Sequence, residues 1–255
     1  VAQSTNQVTA TARTGSGLQD IRATFLVGCD GAHSATRRSS GIGFSGSAFP
    51  QTFLIADLDV KNLAPDRLHV YMAEEGMMFF SPLGAPAPWR LLVMVPPSDT
   101  LAELDLDSAQ AVISRYTRDP LVLHDPVWLT RFSVQSRKAD RFRNGRIYLA
   151  GDAAHIHSPA GAQGMNTGIQ DAINLGWKLA LVIHGDASAH LLDSYESERI
   201  PVASFVLRMT NRAFRVATSR NPLLRFFRPR AAATAVPVAL RIASLRRWGS
   251  ASSLN

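Results

Sequence analysis

Cysteine, long apolar runs and, in the last quarter of the chain, acidic residues are all scarce here, and each shortage closes off a class of function. Cys29 is the sole cysteine among 255 residues, which excludes an internal disulfide and a multi-cysteine zinc site. Its place in the apolar run "FLVGC" predicts a small buried side chain. No run of about 18 or more uncharged apolar residues occurs, which argues against a membrane-spanning helix. The opening stretch "VAQSTNQVTATARTGSG" lacks the charged-then-apolar pattern of a secretory signal, so a cytoplasmic protein is expected. What is present is a globular composition: at 46% hydrophobic, the chain has the apolar material for a sizeable core.

The shortage of acid is local. Glu198 is the last acidic residue, and Arg199 to Arg247 supply eleven arginines without a lysine. The tail therefore carries +11, leaving the first 198 residues at −4 of the net +7. Such a tail can meet nucleic acid, an anionic membrane or an acidic partner domain. It holds no base-reading motif, and Pro201, Pro222, Pro229 and Pro237 break it before one long amphipathic face can form. The expectation is a solvated arginine face, including Arg208, Arg212 and Arg215 at helical spacing, on helices that break at those prolines. No nucleic-acid or membrane partner is expected, and nothing in the sequence fixes an oligomeric state.

The hexapeptide "GIGFSG", Gly41 to Gly46, has the G-x-G-x-x-G spacing of a dinucleotide fingerprint but lacks its setting. The fingerprint must follow a buried strand and open a helix. Here "HSATRRSS" precedes it and the strand-like "SAFPQTFLIADLDV" follows. Around it the chain reads as a series of elements. "QVTATART" and "LQDIRATFLVGCDG" form a hairpin whose second half becomes an apolar strand ending at an Asp-Gly corner. Five β-like runs, "TFLIADLDV", "RLHVYMA", "GMMFFSPL", "WRLLVMVP" and "VWLTRFSV", predict a mostly antiparallel sheet, with a helical insertion from Asp107 to Asp119. Asp57 and Asp59 sit at strand spacing and read as a solvent-facing edge.

The chemistry concentrates in "GRIYLAGDAAHIHSPAGAQGMNTGIQDAINLGWKLA", Gly145 to Ala180. A short strand delivers Gly151 and Asp152 to the carboxyl edge of a sheet, where open α/β folds place ligands. The Asp152 carboxylate can accept hydrogen bonds from the hydroxyl groups of a sugar or sugar alcohol. Gly161 and Gly164 let the backbone approach a flat ligand, and a helix starting near Met165 aims its free N–H groups at that loop. Ile169, Ala172, Ile173, Leu175, Trp177, Leu179, Ala180, Val182 and Ile183 surround this helix, which predicts burial on nearly every face. His155 and His157 form an H-x-H pair, too few ligands for a metal site.

Two stretches carry a family resemblance. "CDGAHSATRR" is similar to the Asp-Gly motif, and "GDAAHIHSPAGAQGMNTGIQDAINLGWKL" to the Gly-Asp motif, of the FAD-dependent aromatic hydroxylases. These are the single-component flavoprotein monooxygenases related to para-hydroxybenzoate and phenol hydroxylase. The resemblance implies an α/β (α+β) fold: an incomplete FAD-binding Rossmann-like domain, an inserted antiparallel substrate sheet and C-terminal helices. Residues 1–44 and 141–185 would belong to the FAD domain, 45–140 to the substrate sheet and 186–255 to a helical region. It further implies that Asp152, with Gly151, binds the ribityl chain. Pro159, Gly161 and Gly164 line the flavin and substrate contact, and the backbone N–H groups of Met165 and Asn166 meet the flavin's pyrimidine ring. Asp30, Gly31 and Arg37 would hold FAD and the reduced nicotinamide.

The activity implied is hydroxylation of an aromatic or polyketide-like substrate with NADPH or NADH and dioxygen, through a flavin hydroperoxide. A flavin-dependent epoxidase or halogenase is the alternative within the enzyme class, and a non-catalytic interaction module with a basic tail the alternative outside it. On the same resemblance, Gly41 to Gly46 is the junction into the substrate sheet, while the family's own fingerprint belongs ahead of Val1. The chain is then expected to be the C-terminal portion of a longer protein, inactive alone, without the βαβ unit of roughly 30 residues or more that holds adenine and pyrophosphate. At Ser158 the chain departs from the family, where a second proline is common.

Overall fold

The chain opens with three antiparallel strands, β1 (Ala2–Gln3), β2 (Val8–Thr14) and β3 (Gly17–Ala23), where β2 and β3 pair from Val8↔Ala23 to Thr14↔Gly17. The computed structural model describes residues 1–73, 76–95, 104–159 and 163–219. The apolar run after β3 forms a separate strand, β4 (Leu26–Gly28), which pairs in a different sheet from the hairpin. Next comes a short helix, α1 (Ala35–Ser39), whose N-cap Ser34 accepts from the Arg37 N–H. Helix α1 lies so close to β4 that a Cβ on Gly28 would stand 2.8 Å from Thr36 Cβ, so only glycine fits there.

By compactness the chain forms two units, Val1–Pro50 with Ser133–Phe214, and a second built on Gln51–Phe132. The long strand β5 (Phe44–Lys61) leads from one to the other, and "GIGFSG" is the loop and first residues that enter it. In the second unit, β5 is followed by β6 (His69–Met72), β7 (Met77–Pro82) and β8 (Trp89–Val95), then α2 (Leu106–Ile113) and β9 (Val122–Ala139). Within this unit the strand order is β9-β5-β8-β7-β6, with antiparallel registers Asp57↔Arg90 and Phe80↔Leu91, and the far end of β9 pairs His155↔Lys138 with a sixth, two-residue strand. Alternation along β5 puts Leu54, Ala56, Leu58 and Val60 on one face, where they pack with Phe80, Leu91, Val93 and the α2 residues Ala109, Val112 and Ile113. A capping box starts α2: Asp105 accepts from the Ser108 N–H at 2.8 Å, and the Ser108 hydroxyl accepts from the Asp105 N–H at 3.1 Å.

Asp57 corrects the expectation of a solvent-facing edge. It points away from the α2 core yet is buried, accepting from Arg90 Nε at 2.7 Å, Arg90 NH2 at 2.8 Å and the Trp128 indole N–H at 2.7 Å. The cross-strand guanidinium makes burial affordable for the carboxylate, because two parallel N–H groups replace its water. Cys29 also differs from expectation. It is exposed, because β4 ends at Gly28 and the chain turns outward.

The first unit resumes with β10 (Arg143–Asn144), β11 (Ile147–Leu149), β12 (His155–Ile156), α3 (Gly164–His184) and α4 (Asp193–Ala217). β11 runs parallel to β4, pairing Ile147↔Leu26 and Leu149↔Gly28, so the Asp-Gly corner and the Gly-Asp turn leave the same end of adjacent strands. Its core gathers Phe142, Tyr148, Leu149, Leu175, Tyr195 and Ala203. Helix α4 is bolted to this core. The Tyr195 hydroxyl donates to the Leu149 carbonyl at 2.7 Å, and Glu196 accepts from the Phe142 and Arg143 N–H groups at 2.7 and 3.1 Å.

Two helical expectations change. Pro201 does not break α4, which runs through it; proline removes one N–H, and the packing of Tyr195, Ala203 and Val206 on either side holds the axis. The stretch beyond residue 219, with Pro222, Pro229, Pro237 and their arginines, lies outside the described residues. Helix α3 is not buried on nearly every face. Ile169, Ile173, Trp177 and Ile183 are 48–65% exposed, while Thr167, Asp171, Leu175 and Lys178 face inward. The inward polar groups are satisfied, as with the Lys178 ammonium 2.7 Å from Glu198, so the packed face is the one that sequence counts least.

Candidate functional site

Strand β11 ends in a three-residue 3-10 turn, Gly151–Ala153, and Gly151 adopts φ +61°, a conformation open to glycine. A second glycine matters on the facing helix. The turn crosses α3 at Gly168, where a Cβ on Gly168 would lie 3.2 Å from the Gly151 Cα. This contact sets the turn against the first coils of α3. The result is a cavity of about 400 Å³ lined by Asp152, Ile156, His157, Gly164 and Met165.

Three kinds of polar group meet there. Asp152 is exposed. Helix α3 starts at Gly164 without a side-chain cap from Gln163, so its first N–H groups at Gly164, Met165 and Asn166 have no partner within the helix. His157 places its Nδ1 against the Ser158 carbonyl at 3.1 Å, which makes Nδ1 the donor, and its buried Nε2 has no hydrogen-bond partner among the described residues. A carboxylate, helix N–H groups unpaired within their own helix and a buried imidazole nitrogen without a partner among the described residues, all around one cavity, suit a ring with polar edges carrying a polyhydroxyl chain. On that donor set the residues fit a flavin.

Beneath the turn lies a buried ionic cluster that sequence reasoning missed. Asp171, fully buried on α3, accepts from His155 Nε2 at 2.6 Å, Arg199 Nε at 2.7 Å and the Gly151 N–H at 3.1 Å. Burial pushes its carboxyl up, but the hydrogen bonds from His155, Arg199 and Gly151 outweigh it and hold the group below its ordinary value. The available signal was the helical spacing of Thr167, Asp171 and Lys178, which puts three polar residues on one face of α3. His155 is thus held by Asp171 and stacks on Phe142, with ring centroids 5.8 Å apart. Ser158, at the departure from the family pattern, is buried and donates to the Thr210 carbonyl of α4 at 3.1 Å.

The residues expected from sequence fall into groups. Asp152, Gly164 and Met165 line the cavity, with Gly151 under it and the exposed Asn166 on the same helix turn. Pro159 is half-buried in the intervening loop, while Gly161 lies outside the described residues. Asp30 and Gly31 occupy the neighbouring corner after β4. The Asp30 carboxylate accepts from the Ser34 hydroxyl at 2.5 Å, the Thr36 N–H at 3.0 Å and the Thr36 hydroxyl at 3.2 Å. Partial burial raises its pKa, and these bonds more than reverse that. Arg37 is buried and turned inward: it donates to the carbonyls of Ala153 and Ala32, both at 2.8 Å, over the Phe44 ring at 3.7 Å. Among the described residues no group of three His, Cys, Asp or Glu side chains could hold a metal, and no helix is long and apolar enough to cross a membrane.

Comparison with known proteins places the chain in a family. A flavin-dependent monooxygenase of Mycobacteroides abscessus is 44% identical over 196 residues, which are 74% of this chain and 41% of that protein. Among solved structures, the OxyS anhydrotetracycline hydroxylase from Streptomyces rimosus superposes with a TM-score of 0.73 at 34% identity, covering 92% of this chain and 48% of that one. The Diels-Alderase PyrE3 of pyrroindomycin biosynthesis gives 0.75 at 36%, covering 92% and 50%. The chain thus spans about half the length, or somewhat less, of the relatives it matches. Residues 1–210 match the family described as "FAD binding domain", and the chain belongs to the family of FAD-dependent aromatic hydroxylases.

Proposed function

We propose that the protein containing this chain is an FAD-dependent monooxygenase that hydroxylates an aromatic or polyketide-like substrate in the cytoplasm, with NADPH or NADH as reductant and dioxygen as oxidant. FAD, when bound, supplies the hydride acceptance and oxygen activation that no side chain offers. The observation that carries this reading is the convergence of Asp152 and the uncapped N-terminus of α3 on one cavity. Asp152 accepts hydrogen bonds from the ribityl hydroxyls. The free N–H groups of Met165 and Asn166 stabilise negative charge on the pyrimidine edge of the ring, where a fixed dipole acts without reorganising. Pro159 and Gly164, the described residues on either side of that loop, would lie beside the ring. Asp30 and Gly31, at the adjacent strand end, serve the dinucleotide side. The fused-ring substrate in the name of the Streptomyces rimosus hydroxylase supports the substrate class.

Asp152→Ala in the full-length protein is expected to weaken FAD binding about ten- to hundredfold, from loss of a charge-assisted hydrogen bond worth roughly 1.5–3 kcal/mol. Equilibrium dialysis reads this directly, and unchanged retention would overturn the assignment. Because PyrE3 is equally similar and is named for a cycloaddition, the reaction class is tested separately. NAD(P)H-dependent oxygen uptake stimulated by an aromatic substrate supports hydroxylation; a bound flavin without such uptake supports the other chemistry.

A further inference from the structure

The Gly-Asp turn is held at both ends by buried side chains from elsewhere in the first unit. Before Asp152, the Gly151 N–H donates to Asp171 at 3.1 Å; after it, the Ala153 carbonyl accepts from Arg37 NH1 at 2.8 Å. Neither clamp lines the cavity, and Asp171 and Arg37 are only 0% and 5% exposed. A lone 3-10 turn, closed here by the Ala154 N–H to the Gly151 carbonyl at 2.8 Å, has little power to fix its own orientation. Its small residues Gly151, Ala153 and Ala154 offer no polar side chain as an anchor. The direction of the Asp152 carboxylate is therefore set from outside.

We propose that Asp171 and Arg37 are positioning residues for cofactor binding that act through Asp152. They fix the turn so that its carboxylate meets the cavity, and Arg37, through its second arm on Ala32, couples that turn to the Asp-Gly corner. Asp171 is itself rigid because His155 and Arg199 donate to it from β12 and α4. This inference rests on the reading of Asp152 as a flavin contact. It gives Arg37 a different role from a direct hold on the cofactor, since both of its terminal nitrogens are engaged by backbone carbonyls.

A double-mutant cycle on FAD affinity in the full-length protein tests it, read by flavin fluorescence and by the visible circular dichroism of bound FAD. Asp171→Asn and Arg37→Lys are each expected to weaken FAD binding about tenfold and to alter the dichroism, which reports the asymmetry around the ring. In an Asp152→Ala background the same changes should alter affinity less than about twofold, because the contact they position is gone. A role confined to fold stability would lower the melting temperature of the apoprotein and act equally in both backgrounds. If Asp171→Asn fails to fold, Arg199→Lys, which keeps the charge beside Asp171 but changes its geometry, runs the same cycle. Equal losses in both backgrounds overturn the positioning role while Asp152→Ala still weakens FAD. If Asp152→Ala alone has no effect, the flavin reading of the turn falls first and takes this inference with it.

Discussion

Two aspartates, one in each unit, are buried beside arginine, and they differ in what they join. Asp57 sits on β5 with its guanidinium partner Arg90 directly opposite on β8, and the Arg90 side chain is 42% exposed. Remove that carboxylate and the backbone ladder still holds the strands, while Arg90 can turn to water. Asp171 is completely enclosed, and its donors come from a turn, a short strand and a helix that share no ladder. Similar chemistry thus reinforces a sheet in one unit and organises a loop in the other.

The comparison can be broken by measurement. Asp171→Ala should cost the most, about 3–5 kcal/mol, because it strands the Arg199 guanidinium in the interior. Asp57→Ala should cost roughly 1–2 kcal/mol, reduced by the exposure of Arg90. Denaturant midpoints of the two variants rank them, and a larger loss at Asp57 would reverse the contrast. Acid sharpens it further. The bonds from Arg90 hold the Asp57 carboxyl low against a smaller effect of burial, and hydrogen bonding holds Asp171 low despite its burial. A carboxyl depressed in the fold contributes its full stability above the ordinary unfolded value of about 4, and loses it as pH falls through the depressed value. Below pH about 4 either alanine variant should therefore lose stability less steeply than the parent, which acid titration of the unfolding transition reads. The smallest effect belongs to the exposed arginines of α4. Replacing Arg208, Arg212 and Arg215 with alanine should leave the melting temperature unchanged, and the parent should not sediment with anionic liposomes at moderate salt.

Much of this arrangement was legible in the sequence where its parts are contiguous. The strands of the second unit follow the alternation along "TFLIADLDV" and "WRLLVMVP", and the Gly-Asp turn with its helix is one unbroken stretch. The misreadings share a cause: they concern which side of an element the rest of the fold covers. Apolar residues surround α3, so composition could not reveal that Thr167, Asp171 and Lys178 would face inward and Ile173 outward. Asp57 looked solvated because its partner lies on another strand. One clamp on the turn was hidden by distance along the chain, Arg37 lying 116 residues from Ala153, and the other by the inward face of α3 that Asp171 occupies.

The crossing of Gly151 and Gly168 carries a consequence for directed evolution of this scaffold. Two backbones meet there with no side chain between them, so a methyl group at residue 168, 3.2 Å from the Gly151 Cα, would press the turn back by a few tenths of an ångström and carry the Asp152 carboxylate with it. Libraries that diversify α3 in search of new substrates should therefore tolerate wide variation at the outward Ile169 and Ile173, yet favour the smallest residues, glycine or alanine, at 168 among flavin-loaded survivors. That position sets the tolerance on how far the scaffold can be remodelled.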